Sequence, residues 1–157
     1  EDGDDVSFGT LRAKVIHNPG HTLGAVTFVV EGCAFTGDTL FCAGCGRVFE
    51  GDAEMMHTSL MRLAALPADT KVYCGHEYTA SNLKFAAEVE PENAAVTNRA
   101  SNMTTPSVPS TMGEEVATNP FLRASEPKVV DAARARGASG DPVSVFAAIR
   151  EWKNNYK

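Results

Sequence analysis

The stretch Phe35-Thr36-Gly37-Asp38-Thr39-Leu40-Phe41 ends a short apolar run, Cys33 to Thr36, with a glycine followed by a carboxylate. Apolar residues bounded by glycine predict a strand. The glycine lets the backbone turn sharply and present the next side chain at the end of a sheet. The same layout recurs on both sides. Upstream, the run Leu11 to Ile16 leads through Asn18-Pro19-Gly20 to His21; downstream, Lys71-Val72-Tyr73-Cys74 leads through Gly75 to His76. A Gly-His or Gly-Asp turn on its own is commonplace and usually solvated. Three strand-end turns carrying His21, Asp38 and His76 are more pointed. Two imidazoles and a carboxylate suit zinc, iron or manganese better than a soft all-sulfur site would. A carboxylate has two oxygens, so Asp38 has the chemistry to bridge two cations, as dinuclear hydrolases require.

Working outward, Ala25 to Val30 predicts another strand, and Asp52 to Leu66 carries apolar residues near a 3.6-residue period until Pro67 stops it. After His76 the pattern turns helical, at Thr79–Val89, Glu126–Arg136 and Asp141–Trp152, with a Pro/Ser/Thr-rich connection from Thr104 to Thr111. Asp141-Pro142 is a good helix start, a side-chain acceptor followed by proline in the first turn. The expected order is three strands, a helix, a strand and then an all-helical part. Four strands and one helix leave one sheet face without cover, so the chain reads as half of a larger layered fold. Such a face would expose apolar surface and favour self-association.

Composition narrows the function classes. With 157 residues, 43% of them hydrophobic, the chain can bury one core of ordinary size. No apolar run approaches the roughly 20 residues that span a bilayer, and the acidic start Glu1-Asp2-Gly3-Asp4-Asp5 is unlike a signal or transit peptide. The net charge is −6. From Phe121 onward seven basic residues face four acidic ones, so the body before it carries −9. That body argues against nucleic acid or an anionic membrane as partner, while the basic C-terminal segment still admits a small anion. Cys33, Cys42, Cys45 and Cys74 read as reduced thiols, which points to the cytoplasm or an organelle matrix.

A wider set of motifs gives the pattern a name. PGHT (residues 19–22), FTGDTLF (35–41), GCGR (44–47), FEG (49–51), VYCGHEYT (72–79), VEPEN (89–93) and NPFLR (119–123) span most of the chain. In that order they resemble glyoxalase II, the hydroxyacylglutathione hydrolases of the metallo-β-lactamase superfamily. The resemblance implies the second half of an αββα sandwich (an α/β, or α+β, fold) over residues 1–76, followed by a small helical, glutathione-binding domain over residues 77–157. It also implies two divalent metal ions, with His21 and His76 as ligands of one each and Asp38 as the bridge, and hydrolysis of the thioester S-D-lactoylglutathione by a metal-bridging hydroxide. Arg47, Phe49, Tyr78, Arg150 and Lys153 fall where the family binds glutathione, although Phe49 lacks the hydroxyl expected there. Arg150 and Lys153 are also three apart, on one helix face, and glutathione carries two carboxylates. The family's remaining ligands lie in a T-H-x-H-x-D-H motif, and this sequence contains no H-x-H. Three of seven ligands imply a fragment that binds metal weakly and turns over poorly alone.

Three rivals stand beside that reading. Cys42-Ala43-Gly44-Cys45 has C-x-x-C spacing and, with Cys33 and Cys74, suggests a structural zinc module. A persulfide dioxygenase would share PGHT and TGD but lack NPFLR and the basic helix. A non-catalytic relic or dimerising module fits the missing motif.

Overall fold

The computed structural model describes residues 1–156. Its strands are β1 (Asp5–Phe8), β2 (Leu11–His17), β3 (Val26–Val30), β4 (Cys33–Gly37), β5 (Leu40–Phe41), β6 (Gly44–Cys45), β7 (Lys71–Cys74) and β8 (Ser110–Thr111). Its helices are α1 (Ala53–Ala64), α2 (Thr79–Val89), α3 (Ala94–Asn102), α4 (Met112–Thr118), α5 (Pro127–Arg134) and α6 (Pro142–Asn155). Six strands form one sheet in the order β1-β2-β3-β4-β7-β8, and β5 and β6 form a separate hairpin. Every neighbouring pair in the sheet is antiparallel except β4 and β7, which are parallel and joined by a connection that includes α1. The mixed sheet and helices expected from the sequence are present.

The sheet is larger than four strands. β1 was not expected, because Asp5-Val6-Ser7-Phe8 offers only two apolar residues beside an acidic leader. β8 comes from the end of the Pro/Ser/Thr-rich connection and adds two residues beside β7. Two helices were also missed although their caps are legible. The Asn93 side chain accepts from the backbone of Ala95 and Val96 at the start of α3, and Thr111 accepts from Glu114 at the start of α4.

The two faces of the sheet differ sharply. On one, Ala34 and Val72 are fully buried with Met56, Leu60 and Leu63 of α1, in a core that continues into Phe85, Phe121, Phe146 and Ile149 from the helical part. On the other, cross-strand register lines up Val15, Phe28, Phe35 and Tyr73. Phe35 stacks on Tyr73 at 5.1 Å and remains 44% exposed, and Phe8 meets Phe28 edge-on, itself exposed. This face has no partner layer among the described residues. No helix among them is long and apolar enough to cross a membrane.

The hairpin is held by polar groups sunk in the core. Glu115 is 0% exposed, yet its carboxylate accepts from the Ala43 amide at 2.7 Å, from Ser110 Oγ at 2.6 Å and from Arg99 at 2.6 Å. Ala43 has φ 54°, the left-handed region that a non-glycine residue occupies at a cost. Asn119 of NPFLR donates to the carbonyls of Phe41 and Gly44, and Arg123 grips Glu90 of VEPEN through two hydrogen bonds. Removing one partner of such a buried ionic group strands the other without compensation. Glu115→Ala should therefore lower unfolding free energy by about 3–5 kcal/mol in urea titration, whereas Phe35→Ala on the open face should cost under about 1 kcal/mol.

Candidate active site

The three strand-end turns converge. Asp38 lies between the two imidazoles with one oxygen toward each: Oδ2 is 3.8 Å from His21 Nε2, and Oδ1 is 3.4 Å from His76 Nε2. Both separations are long for a hydrogen bond. They fit donors facing a common cation, since ligands held at about 2.0–2.2 Å from one ion sit roughly 3–4 Å from each other. The His21 ring is already oriented, with Nδ1 2.8 Å from the Arg47 carbonyl. A carbonyl only accepts, so Nδ1 carries the proton and Nε2 presents its lone pair to the site. The donor set therefore fits a divalent metal pair in chemistry and orientation. It is a partial set, because among the described residues no group of three or more ligating side chains closes around a single point.

Two glycines make the convergence possible for different reasons. Gly37 takes φ 52°, the turn that swings Asp38 off the end of β4. Gly75 is required by space, because a Cβ there would stand 2.5 Å from Asp38 Oδ1. The register of β4 on β7 shifts between Phe35 and Gly37 at the same point.

Around the turns lies a cavity of about 440 Å³ lined by His21, Asp38, His76, Phe41, Arg47, Phe49 and Tyr78 among others. His76 stacks on Tyr78 at 5.0 Å, with Phe41 edge-on to both, and the exposed Phe49 ring lies 5.0 Å from His21. Phe41, Arg47 and Tyr78 are shared with a neighbouring cavity of about 450 Å³, whose far wall holds Lys84, Arg150 and Lys153. All eight residues singled out from the sequence thus line two adjoining hollows. Phe41, Ser81, Asn82, Lys84 and Tyr156 were missed. Ser81 and Lys84 follow Tyr78 at three-residue steps along α2, a spacing that marks one face of a helix. Phe41 sits in a hairpin too short to leave a period.

The far wall is unusually positive for its burial. Arg150 is 8% exposed, gives Nη1 to the Cys45 carbonyl at 2.9 Å and lies over the Phe121 ring, with no carboxylate paired to it among the described residues. Lys153 Nζ donates to the Ser81 carbonyl at 3.3 Å. Burial, then the neighbouring Arg150 charge, hold its ammonium below the usual lysine range. Two neighbouring cations with no carboxylate partner among the described residues have the chemistry to attract an anion.

The four thiols do not gather. Cys42 and Cys74 have sulfurs 4.0 Å apart, but Cys45 Sγ lies against Arg150 and Cys33 Sγ toward the Glu31 carbonyl. The four-sulfur zinc alternative is therefore not built. Donation from the Cys42 thiol draws Cys74 below the ordinary cysteine range, while the same contact and burial push Cys42 up.

Comparison with known proteins places the chain in a family. Residues 77–156 match the family profile described as the hydroxyacylglutathione hydrolase C-terminus, and residues 1–76 match the metallo-beta-lactamase superfamily. The chain belongs to the hydroxyacylglutathione hydrolase family. A hydroxyacylglutathione hydrolase of Rhodopseudomonas palustris is 51% identical over 160 residues, covering 97% of this chain and 62% of that protein. This family member spans 62–64% of the length of the first curated relatives it matches. Among solved structures, ETHE1 from Myxococcus xanthus aligns at TM-score 0.59 and 25% identity over 100% of this chain and 60% of the other. TTHA1623 in a di-iron-bound form aligns at TM-score 0.53 and 30% identity, over 78% and 46% respectively.

The tightness at Gly75 yields a test. Gly75→Ala should displace the Asp38 carboxylate and weaken zinc binding by about 10–100-fold in titration, with the far-ultraviolet circular dichroism spectrum unchanged.

Proposed function

We propose that His21, Asp38 and His76 supply three donors to a pair of divalent cations, Asp38 bridging, and that the adjoining basic cavity seats the glutathione part of a 2-hydroxyacyl thioester. The reaction is hydrolysis of S-D-lactoylglutathione to D-lactate and glutathione. One observation carries the metal assignment: the two oxygens of Asp38 are divided between two imidazoles, one of which has its other nitrogen tied to a backbone carbonyl. The family names of the relatives support the substrate, as does Arg150, which has no carboxylate partner among the described residues.

Bound metals, whether zinc, iron or manganese, would lower the pKa of water toward neutrality and polarise the thioester carbonyl. The chain's own residues do the rest. Arg47, Arg150 and Lys153 attract the two glutathione carboxylates, and Arg150 offers a planar fork of donors with no carboxylate partner among the described residues. Phe41 and Tyr78, shared by both cavities, form the wall along which the thioester passes from the basic seat to the metal donors. Tyr78 stacks on His76 and limits how far that ring swings. Phe49 contributes an apolar surface beside His21 where a hydroxyl was expected. With no H-x-H motif in residues 1–157, the remaining donors of a full site come from outside this sequence. Alone, the chain binds metal weakly and hydrolyses slowly. Its open apolar sheet face supports a second role, packing against another layer or another copy. Four unpaired cysteines suit a reducing compartment such as the cytoplasm.

Zinc titration of the 157-residue chain should show binding that Asp38→Asn abolishes. No binding, or binding indifferent to that change, would sink the metal assignment. For the anion seat, the sign follows from Lys153. Only its protonated form attracts a carboxylate, and its pKa lies below an ordinary lysine's. Glutathione affinity should therefore begin to fall with rising pH earlier than an unperturbed lysine would allow. Lys153→Arg should hold affinity through that range, and Lys153→Glu should weaken it about tenfold at neutral pH, or 1.4 kcal/mol.

A further inference from the structure

Two thiols that hydrolysis does not use lie side by side beneath the candidate metal site. Cys42 sits in the turn of the β5–β6 hairpin and Cys74 ends β7, yet their sulfurs are 4.0 Å apart. Cys42 is buried and Cys74 partly exposed, so one of the pair is accessible and the other waits behind it. The remaining thiols are engaged elsewhere, Cys45 with Arg150 and Cys33 with the Glu31 carbonyl.

We propose that Cys42 and Cys74 are a redox modification site, closed to a reversible disulfide by exchange with a low-molecular-weight disulfide such as glutathione disulfide, and that closure displaces His76. The exchange balances without another oxidant. Cys74 loses its proton and attacks one sulfur of the small disulfide, breaking its S–S bond and releasing one thiolate, which takes up the proton. Cys42 then loses its proton, attacks the Cys74 sulfur of the mixed disulfide and expels the second small thiol. One disulfide is consumed and one formed, and two hydrogens pass from the protein to the two departing thiols.

The geometry makes closure both accessible and consequential. A disulfide is about 2.05 Å long, so the sulfurs must approach by roughly 2 Å. The hairpin side resists that movement. Glu115 holds the Ala43 amide, Asn82 donates to the Cys42 carbonyl at 3.0 Å, and Asn119 holds Phe41 and Gly44. The movement therefore falls on the end of β7. Only Gly75 separates Cys74 from His76, and Gly75 packs so closely on Asp38 that even a methyl group would collide. Drawing Cys74 toward the hairpin turns His76 away from Asp38 Oδ1. The disulfide stands on the sulfur geometry alone; its effect on metal binding rests on the proposed function.

The test uses the full chain, incubated with mixtures of glutathione and glutathione disulfide and read by intact mass and non-reducing peptide mapping. The expected product has lost two hydrogens, contains one Cys42–Cys74 linked peptide pair and returns to the starting mass with dithiothreitol. Cys42→Ser and Cys42→Ala should both stop at glutathione joined to Cys74, and Cys74→Ser should leave Cys42 unmodified. An untouched Cys74, a mixed disulfide that never resolves in the native chain, or linkage scattered over all four cysteines would overturn the proposal. Zinc titration supplies the second readout. The linked form should bind at least about tenfold more weakly than the reduced form, and equal affinity would overturn the coupling to His76. A reduced chain that binds no zinc would count against the metal assignment, leaving the peptide map to decide the disulfide.

Discussion

The site depends on a buried carboxylate. Glu115 has no exposure and four donors, from Ala43, Ser110, Arg99 and Asn119. A charge in the core is tolerated only when it is this well satisfied. What the network achieves is local. It fixes a hairpin of two-residue strands, too short to be stable by its own ladder, and holds Ala43 in a left-handed conformation. That hairpin bridges Asp38 and Arg47, and it places Phe41 against His76 and Tyr78. The helical part of the chain therefore does more than cover the sheet. Through Asn119, Glu115 and Arg150, whose guanidinium holds the Cys45 carbonyl, it determines where the loop between the two cavities lies.

Placing a site at the ends of strands has a structural cost. Candidate ligands carried on turns after β2, β4 and β7 are only as rigid as those turns. Here each turn is backed by a hydrogen bond: the Asn18 side-chain amide donates to the Thr39 hydroxyl, the Gly75 amide to the Gly37 carbonyl, and the His21 ring to the Arg47 carbonyl. The sheet behind them has one face fully packed and one bearing Phe8, Phe28, Phe35 and Tyr73. A flat apolar face of that kind is uncommon on a finished monomer surface.

Much of this was legible in the sequence because it rests on local rules. Strands β2, β3, β4 and β7 and helices α1, α2, α5 and α6 follow from apolar period and from Gly, Pro and Asp at their ends. The three donor positions follow from glycine before a ligand-type side chain. What was not legible depends on partners distant in sequence. β1 exists because β2 offers an edge, and β8 because β7 does; neither has a period of its own. Phe41 becomes a wall only through contacts with residues more than 30 positions away. The capping residues Asn93 and Thr111 are local signals too, each accepting from the backbone in the first turn of its helix. Arg150 was placed correctly on a basic helix face, but its burial against Cys45 and Phe121 could come only from the fold.

That burial bears on how an acidic chain could hold the anionic ligand proposed for it. With a net charge of −6, long-range steering works against any anion, and at physiological ionic strength it fades beyond about 8 Å. What remains is the local field. Exposed cations such as Lys128, paired to Glu92 on the surface, contribute little there. Arg150 differs because it is desolvated, orientated by the Cys45 carbonyl and Asn154, and not neutralised by a carboxylate among the described residues. An anion that reaches it meets donors already in place and loses little to reorganisation. Recognition of this kind is short-range and depends on the hairpin staying put. The proposed anion seat and the proposed metal donors are therefore coupled through the same few residues, Leu40 to Arg47, and through the buried carboxylate that holds them.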